Sequence, residues 1–231
     1  MTKEIQPSTE SLIPAQPIPA GVQAFSERVH GLMDGRPKDD ATVSEALEGM
    51  DDILELIAAG LYTLASMLVG EGEDAMGLVE TAIANTEVSL CNDPVEGRKS
   101  SRRALCCAAL SVIEARNPGS LSAPVGLAPA ATCIEDDDLD AAGVSREELE
   151  NMIAGPDRDR VRNWLAGLPV RTRTIFVLRA VAGFSAADTA TMLAAHEGPN
   201  TAKWTPEMVR EFFRQGLCSL ASQLIQATST R

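Results

Sequence analysis

Few residues in this chain of 231 have the types and spacing that chemistry requires. His30 and His196 stand isolated, and no glycine-rich phosphate loop, HExxH or GxSxG motif occurs. Cys106 and Cys107 are adjacent with no third thiol near them in sequence, which fits a buried small-residue helix face better than redox chemistry. The run Glu135-Asp136-Asp137-Asp138-x-Asp140 lacks the glycine and the terminal glutamate of a calcium loop. We therefore expect no enzyme, no catalytic residue, no metal and no cofactor. Recognition chemistry is better provided for. After Thr205-Pro206-Glu207, the residues Arg210, Arg214 and Gln215 fall on one helix face, and two arginines beside a glutamine can address base edges and phosphates.

The elements that must position that face are readable from punctuation and period. Pro169 suits a first helical residue. Ile175, Leu178, Val181 and Ala182 then recur at helical spacing until Gly183 offers a left-handed stop. Ser185 with Asp188 three residues on makes a weak capping box, Phe184 a staple before it, and Thr189, Ala190 and Leu193 an inner side. Thr205 caps the last helix, whose apolar stripe is Val209, Phe212, Phe213, Leu217, Leu220 and Leu224. That leaves Glu207, Arg210, Glu211, Arg214 and Gln215 outside. The loop from Ala194 to Trp204 is longer than the ~3–4 residues of a compact helix-turn-helix. It is expected either to change the helix crossing or to reach DNA with Lys203, and Trp204 is expected to be a core plug rather than a base-stacking residue.

The pattern Leu168-Pro169-x-Arg171-x-Arg173-x-Ile175-Phe176-x-Leu178-Arg179, then Gly183 to Leu193, then the Thr205 to Ala221 helix, resembles region 4 of bacterial sigma factors, closest to the small extracytoplasmic-function class. The resemblance implies a domain that reads the upstream promoter element and touches RNA polymerase core. Its DNA-binding residues are then Arg171, Arg173, Lys203, Thr205, Arg210, Arg214 and Gln215. The stretch from Leu61 to Glu80 resembles sigma region 2 less closely, and implies polymerase-binding roles for Asp74, Leu78 and Glu80. It also implies that a basic helix beginning at Arg98, with Lys99, Arg102 and Arg103, lies over the start-proximal promoter DNA. Met76 and Gly77 replace two acids usual in that family, and no Phe, Tyr or Trp occurs between Tyr62 and Trp164. Single strands are captured by stacking on flat side chains. The alternative reading is accordingly a degenerate sigma-like module that binds polymerase or another regulator without opening promoters. An anti-sigma or similar regulatory protein is the further partner the resemblance suggests.

Composition fits this organisation. Low aromatic content and the lack of alternating Val/Ile/Thr runs predict an all-α chain, and its length suits one large or two small domains. The Pro/Gly-rich and acidic stretch after Asn117, with the resemblance, implies two small helical domains joined by an acidic flexible linker. We expect an N-terminal extension at 1–40, a region 2-like domain at 41–116, the linker at 117–142 and a region 4-like domain at 143–231. The extension contains Pro7, Pro14, Pro17, Pro19 and Pro37. It is either an unstructured tail or a docking segment anchored by Leu12-Ile13 and Val22-x-x-Phe25. Helices are predicted over 43–69, with a break or kink at Gly60, over 73–90 and over 98–115. Ser145 with Glu148 should cap another. The linker's acid either mimics nucleic acid in a basic channel or keeps a solvated tether extended. The net charge of −13 is unevenly divided. Residues 156–231 carry ten Lys/Arg and six Asp/Glu, a balance of +4 that leaves −17 for residues 1–155. The absence of an apolar run of ~18 residues or a signal-peptide pattern predicts a cytoplasmic protein without a membrane span. Five cysteines without a CxxC predict reduced thiols.

Overall fold

The structure is a computed structural model that describes residues 57–85, 94–125, 133–196 and 203–229. All of these lie within one compact unit, Asp39–Arg231. Its helices are α1 (57–69), α2 (Glu73–Ala84), α3 (Pro94–Arg116), α4 (Arg146–Ala154), α5 (Arg158–Gly167), α6 (Val170–Phe176), α7 (Ala186–Ala194) and α8 (Pro206–Ser229). No strand occurs among the described residues, so the all-α expectation holds. The extension at 1–40 and the first part of the helix predicted over 43–69 lie outside the described residues.

In the front half, α1 buries Leu61, Leu64 and Leu68 and runs unbroken through Gly60, where a break or kink was expected. Gly70 and Gly72 adopt positive φ, 93° and 118°, which a side chain would resist, and this permits the abrupt reversal into α2. Helix α2 packs Ala75, Leu78, Val79 and Ala82 inward, and α3 meets it with Leu105, Ala109, Leu110 and Ile113. The start of α3 lies earlier than predicted. Pro94 opens it, as a first-turn proline can because the missing N–H has no intrahelical partner there, so Gly97 lies inside the helix. At its far end Arg116 donates to the Val69 carbonyl at 2.7 Å and pairs with Asp74, fastening α1, α2 and α3 at one corner.

The rear half follows its caps. Ser145 accepts the Glu148 N–H at 3.2 Å while the Glu148 carboxylate accepts the Ser145 N–H at 2.8 Å, a complete capping box. Helix α6 widens into a π turn over Val177–Val181 and stops at Gly183 (φ 81°), where the Phe184 N–H reaches back to the Leu178 carbonyl at 3.0 Å. Ser185 accepts the Asp188 N–H at 3.0 Å and starts α7. Thr205 accepts the Met208 N–H at 3.3 Å and starts α8. Trp204 is buried, as a core plug should be, and its indole N–H donates to the Leu121 carbonyl at 2.8 Å.

The picture of two bodies on a free tether needs correction where the tether is described. Leu121, Ala123, Ile134, Leu139 and Ala142 are all buried, and Glu114 accepts the N–H groups of Gly119 and Leu121. Apolar side chains spaced through the polar run give it something to bury, which outweighs self-repulsion of the acids. Residues 126–132 lie outside the described residues. The expectation of reduced thiols also gives way at one pair. Cys133 and Cys218 are joined in a disulfide across 85 residues, with Cα atoms 5.7 Å apart. Closing so long a loop restricts the unfolded chain by about 4–5 kcal/mol on the chain-entropy relation. Cys106 and Cys107 are free, and burial pushes the Cys106 thiol well above its usual range, leaving it unreactive.

Helix α8 comes closest to its neighbours at Gly216. A Cβ placed there would meet the Phe176 ring at 2.8 Å. That ring cannot retreat, because Trp164 (5.0 Å, edge-on) and Phe213 (5.6 Å) hold it. Gly216→Ala should therefore destabilise the fold by about 1–3 kcal/mol through overpacking, despite a gain of about 1 kcal/mol in helix propensity. Gly60→Ala, with nothing within 4 Å of the added carbon, should stabilise by about 0.5–1 kcal/mol. Urea midpoints of the two variants should shift in opposite directions, and a rightward shift for Gly216→Ala would disprove the close packing.

Candidate nucleic-acid interface

The arginines of α8 are where the sequence places them, four residues apart on one face, but that face is not open. Arg210 keeps 42 % of its side chain exposed, Arg214 only 27 %, and Glu211 between them 13 %. The cover is the acidic segment following Cys133. Ile134 and Leu139 turn inward, each contributing about 1.5–3 kcal/mol if fully buried. The backbone carbonyl of Glu135 accepts Arg214 at 3.1 Å. Asp137 lies between two cations, accepting Arg179 of the π turn at 2.9 Å and facing the Arg210 Nε at 3.6 Å. Asp138 accepts the Ala141 N–H and so shapes the 3-10 turn Asp140–Ala142, which packs against α8. Within α8, Arg210 also pairs with Glu207 at 3.3 Å, Arg214 with Glu211 at 2.8 Å, and Gln215 donates to Glu211 at 3.5 Å. The expected outward face is thus a corrected one. The segment at 133–139 covers part of it, through the Asp137 carboxylate beside Arg210 and the Glu135 carbonyl on Arg214.

Arg179 holds this arrangement together, although periodicity gives it no role. Its guanidinium lies 4.9 Å from the Phe213 ring centre and donates to the Phe184 carbonyl at 3.2 Å as well as to Asp137. Burial lowers its pKa and Asp137 opposes that shift. Arg171 lies 5.5 Å from the Phe212 ring, half-buried, with burial lowering its pKa and Glu114 opposing. Arg173 is likewise half-buried, and burial alone lowers its pKa. It borders a cleft of about 450 Å³ lined also by Ser66, Glu71, Arg162 and Asn163. Arg171 and Arg173 thus lie partly inside the fold rather than on a cationic surface. Lys203 is exposed, while Thr205 is half-buried and occupied as a cap.

The other cationic group stands free of the acidic segment. Arg98, Lys99 and Arg103 are exposed and Arg102 is half-buried, all on the first turns of α3. Arg98 and Arg102 flank a shallow pocket against Ile57 and Leu61, and Lys99 pairs with Glu96 at 3.8 Å. This end of α3 lies near the start of α7. The Asp188 carboxyl is held below its usual range chiefly by Ser185, with Arg103 and Lys99 adding to the effect. Of the three residues expected to grip polymerase, Asp74 is exposed but paired with Arg116, and Glu80 is exposed. Leu78 is buried at 5 % and is corrected to a core residue, because its place on the inner stripe of α2 turns it towards α3.

Among the described residues there is no cluster of three or more His, Cys, Asp or Glu suited to a metal, and no helix is long and apolar enough to cross a membrane. No family model, curated protein or solved structure matches this chain.

The cleft beside Arg173 is closed on one side by Glu71, which bridges Arg158 at 2.6 Å and Arg162. Burial raises the Glu71 pKa, but the two guanidinium groups outweigh it and hold the carboxyl below its usual range. A carboxylate with a depressed folded-state pKa stabilises above its unfolded value and loses that contribution as pH falls through the folded one. Wild type should therefore exceed Glu71→Gln in stability at pH 7, by a small margin because the pair is half-exposed. The difference should begin to shrink below the ordinary glutamate value of about 4.3 and be lost as pH falls through the depressed folded-state value. Urea titrations at pH 7 and pH 3 check this, and an undiminished difference at pH 3 would count against the bridge.

Proposed function

We propose that this protein is a sigma-like transcription initiation factor that binds RNA polymerase core and promoter DNA, in the cytoplasm. The observation that carries the reading is the C-terminal unit of α7 and α8, with Arg210 and Arg214 on one face of a long, capped helix. It is backed by a second, exposed basic group at the start of α3. Arginines at this spacing suit base edges and phosphates, and the α3 cations suit a phosphate backbone. Together they fit a protein that holds DNA at two places while polymerase supplies the catalysis. The region 2-like and region 4-like parts serve the start-proximal and upstream elements respectively.

A second reading is a sigma-like adaptor that binds polymerase or a regulator without opening DNA. Two observations favour it. The chain has no aromatic residue between Tyr62 and Trp164 to receive unpaired bases, and its own acidic segment covers the face of α8. Run-off transcription with purified core polymerase separates the two. Transcripts dependent on the protein establish the first, whereas core binding without transcripts establishes the adaptor. In duplex binding, Arg98→Ala and Arg103→Ala should each weaken affinity evenly across sequences. Each should also reduce the salt slope by about 1, as the loss of one phosphate contact does. Arg210→Ala should cost about 1–3 kcal/mol on the preferred sequence alone. Unchanged binding by all three would remove both faces from the interface.

A further inference from the structure

We infer that Cys133 and Cys218 are a reversible oxidation site, and that their disulfide locks the acidic segment over the arginines of α8. The proposal rests on the reading of that helix face as a surface for nucleic acid. Three observations converge on it. The two cysteines are bonded, with Cα atoms 5.7 Å apart, one on the acidic segment and the other on α8 itself, a turn beyond Arg214. The residues just after Cys133 are those that engage the arginines, Glu135 through its carbonyl with Arg214 and Asp137 through its carboxylate with Arg179 and Arg210. Cys133 is exposed and Cys218 half-exposed, so a small oxidant or reductant reaches the pair, whereas Cys106 is buried. The remaining attachments, two inward apolar side chains and partly exposed ion pairs, are of the kind that open locally. A covalent bond at one end raises the effective concentration of the segment over the helix, and its removal lowers it.

The exchange balances with a low-molecular-weight disulfide as oxidant. The Cys133 thiolate attacks one sulfur of the small disulfide and releases a thiolate, leaving a mixed disulfide. The Cys218 thiolate then attacks the Cys133 sulfur and releases the second thiolate. The two protein thiols thereby give up two electrons to the small disulfide, and their two protons go to the thiolates released. A dithiol reverses both steps. In a reducing compartment such a pair is open by default and closes under oxidation, as sensing disulfides do.

The test uses the full chain treated with oxidised glutathione or with dithiothreitol, and a fluorescein-labelled DNA duplex as probe. Mass mapping should find a Cys133–Cys218 link in the oxidised protein, and a link through Cys106 or Cys107 instead overturns the assignment. Oxidised wild type should bind the duplex at least tenfold more weakly than reduced wild type. Cys133→Ser should bind like the reduced protein under both conditions. Asp137→Asn, which keeps both cysteines, should narrow the difference. Equal binding by oxidised and reduced wild type overturns the lock while leaving the DNA reading intact. If no form binds DNA, the DNA reading fails, and hydrogen exchange over 133–140 decides the lock separately. Faster exchange after reduction upholds it and an unchanged rate overturns it.

Discussion

The contact on which this molecule's interior depends is the Phe176 ring laid against the bare backbone of Gly216, closed in by Trp164 and Phe213. The chain holds only eight aromatic residues, and six of them, Trp164, Phe176, Phe184, Trp204, Phe212 and Phe213, fall between α5 and α8. Large rigid side chains bury the most surface at the least conformational cost. Concentrating them here fixes the axis of α8 while the front half is built from Leu, Ala and Met. A helix held that firmly presents its side chains in a fixed register. The Trp164 indole N–H on the Ser219 hydroxyl (2.9 Å) and the Trp204 indole N–H on the Leu121 carbonyl add polar constraints at two points along it.

Because α8 is fixed, the electrostatics beside it are defined. Arg179 rises from the π turn next to the helix, and the wider turn places its guanidinium over Phe213 and within reach of Asp137. Burial disfavours the charged guanidinium, and at Arg179 an anionic partner and a π face both offset that cost. Asp137 in turn draws the backbone of 135–138 onto α8, so that Glu135 reaches Arg214 with its carbonyl and leaves its carboxylate exposed to solvent. That carboxylate, with the inward side chains of Ile134 and Leu139, holds the path of the segment as far as the 3-10 turn. The same path brings Cys133 to Cys218.

What the sequence made legible is what local chemistry decides. Ser145 with Glu148, Ser185 with Asp188, the stop at Gly183 and the cap at Thr205 all act within a few residues, and each is found in place. The apolar stripe of α8 was legible for the same reason, since spacing alone assigns Val209, Phe212, Phe213, Leu217 and Leu220 to one side. Interactions between distant residues were hidden. Asp137 meets Arg179 across 42 residues and Cys133 meets Cys218 across 85, and neither pairing leaves a periodic trace. Leu78 shows the hazard of reading a role from resemblance. Residues 75, 78, 79 and 82 have the spacing of a buried stripe, and packing against α3 follows that spacing. The start of α3 lies at Pro94 rather than at the predicted 98, because a proline is tolerated in a helix's first turn as readily as it ends one.

The uneven charge acquires a different sense once the acidic segment is seen on the arginines. Divided along the chain, the charge is −17 for residues 1–155 and +4 for the remainder, a separation in sequence that need not be one in space. Opposite charges in one compact unit attract, and the segment just upstream of the tail is long enough to fold back. On the proposed reading this has a consequence for salt. Binding to DNA weakens with ionic strength because phosphates recover their counterions. The pairing of Asp137 with Arg210 is screened by the same ions. Salt thus loosens the internal cover and the external contact together, so the arginines of α8 should contribute less to the salt slope than their charge implies. Among the described residues no acidic segment lies over the exposed cations on the first turns of α3, where only the single carboxylates Glu96 and Asp188 stand near, and most of that slope falls to them.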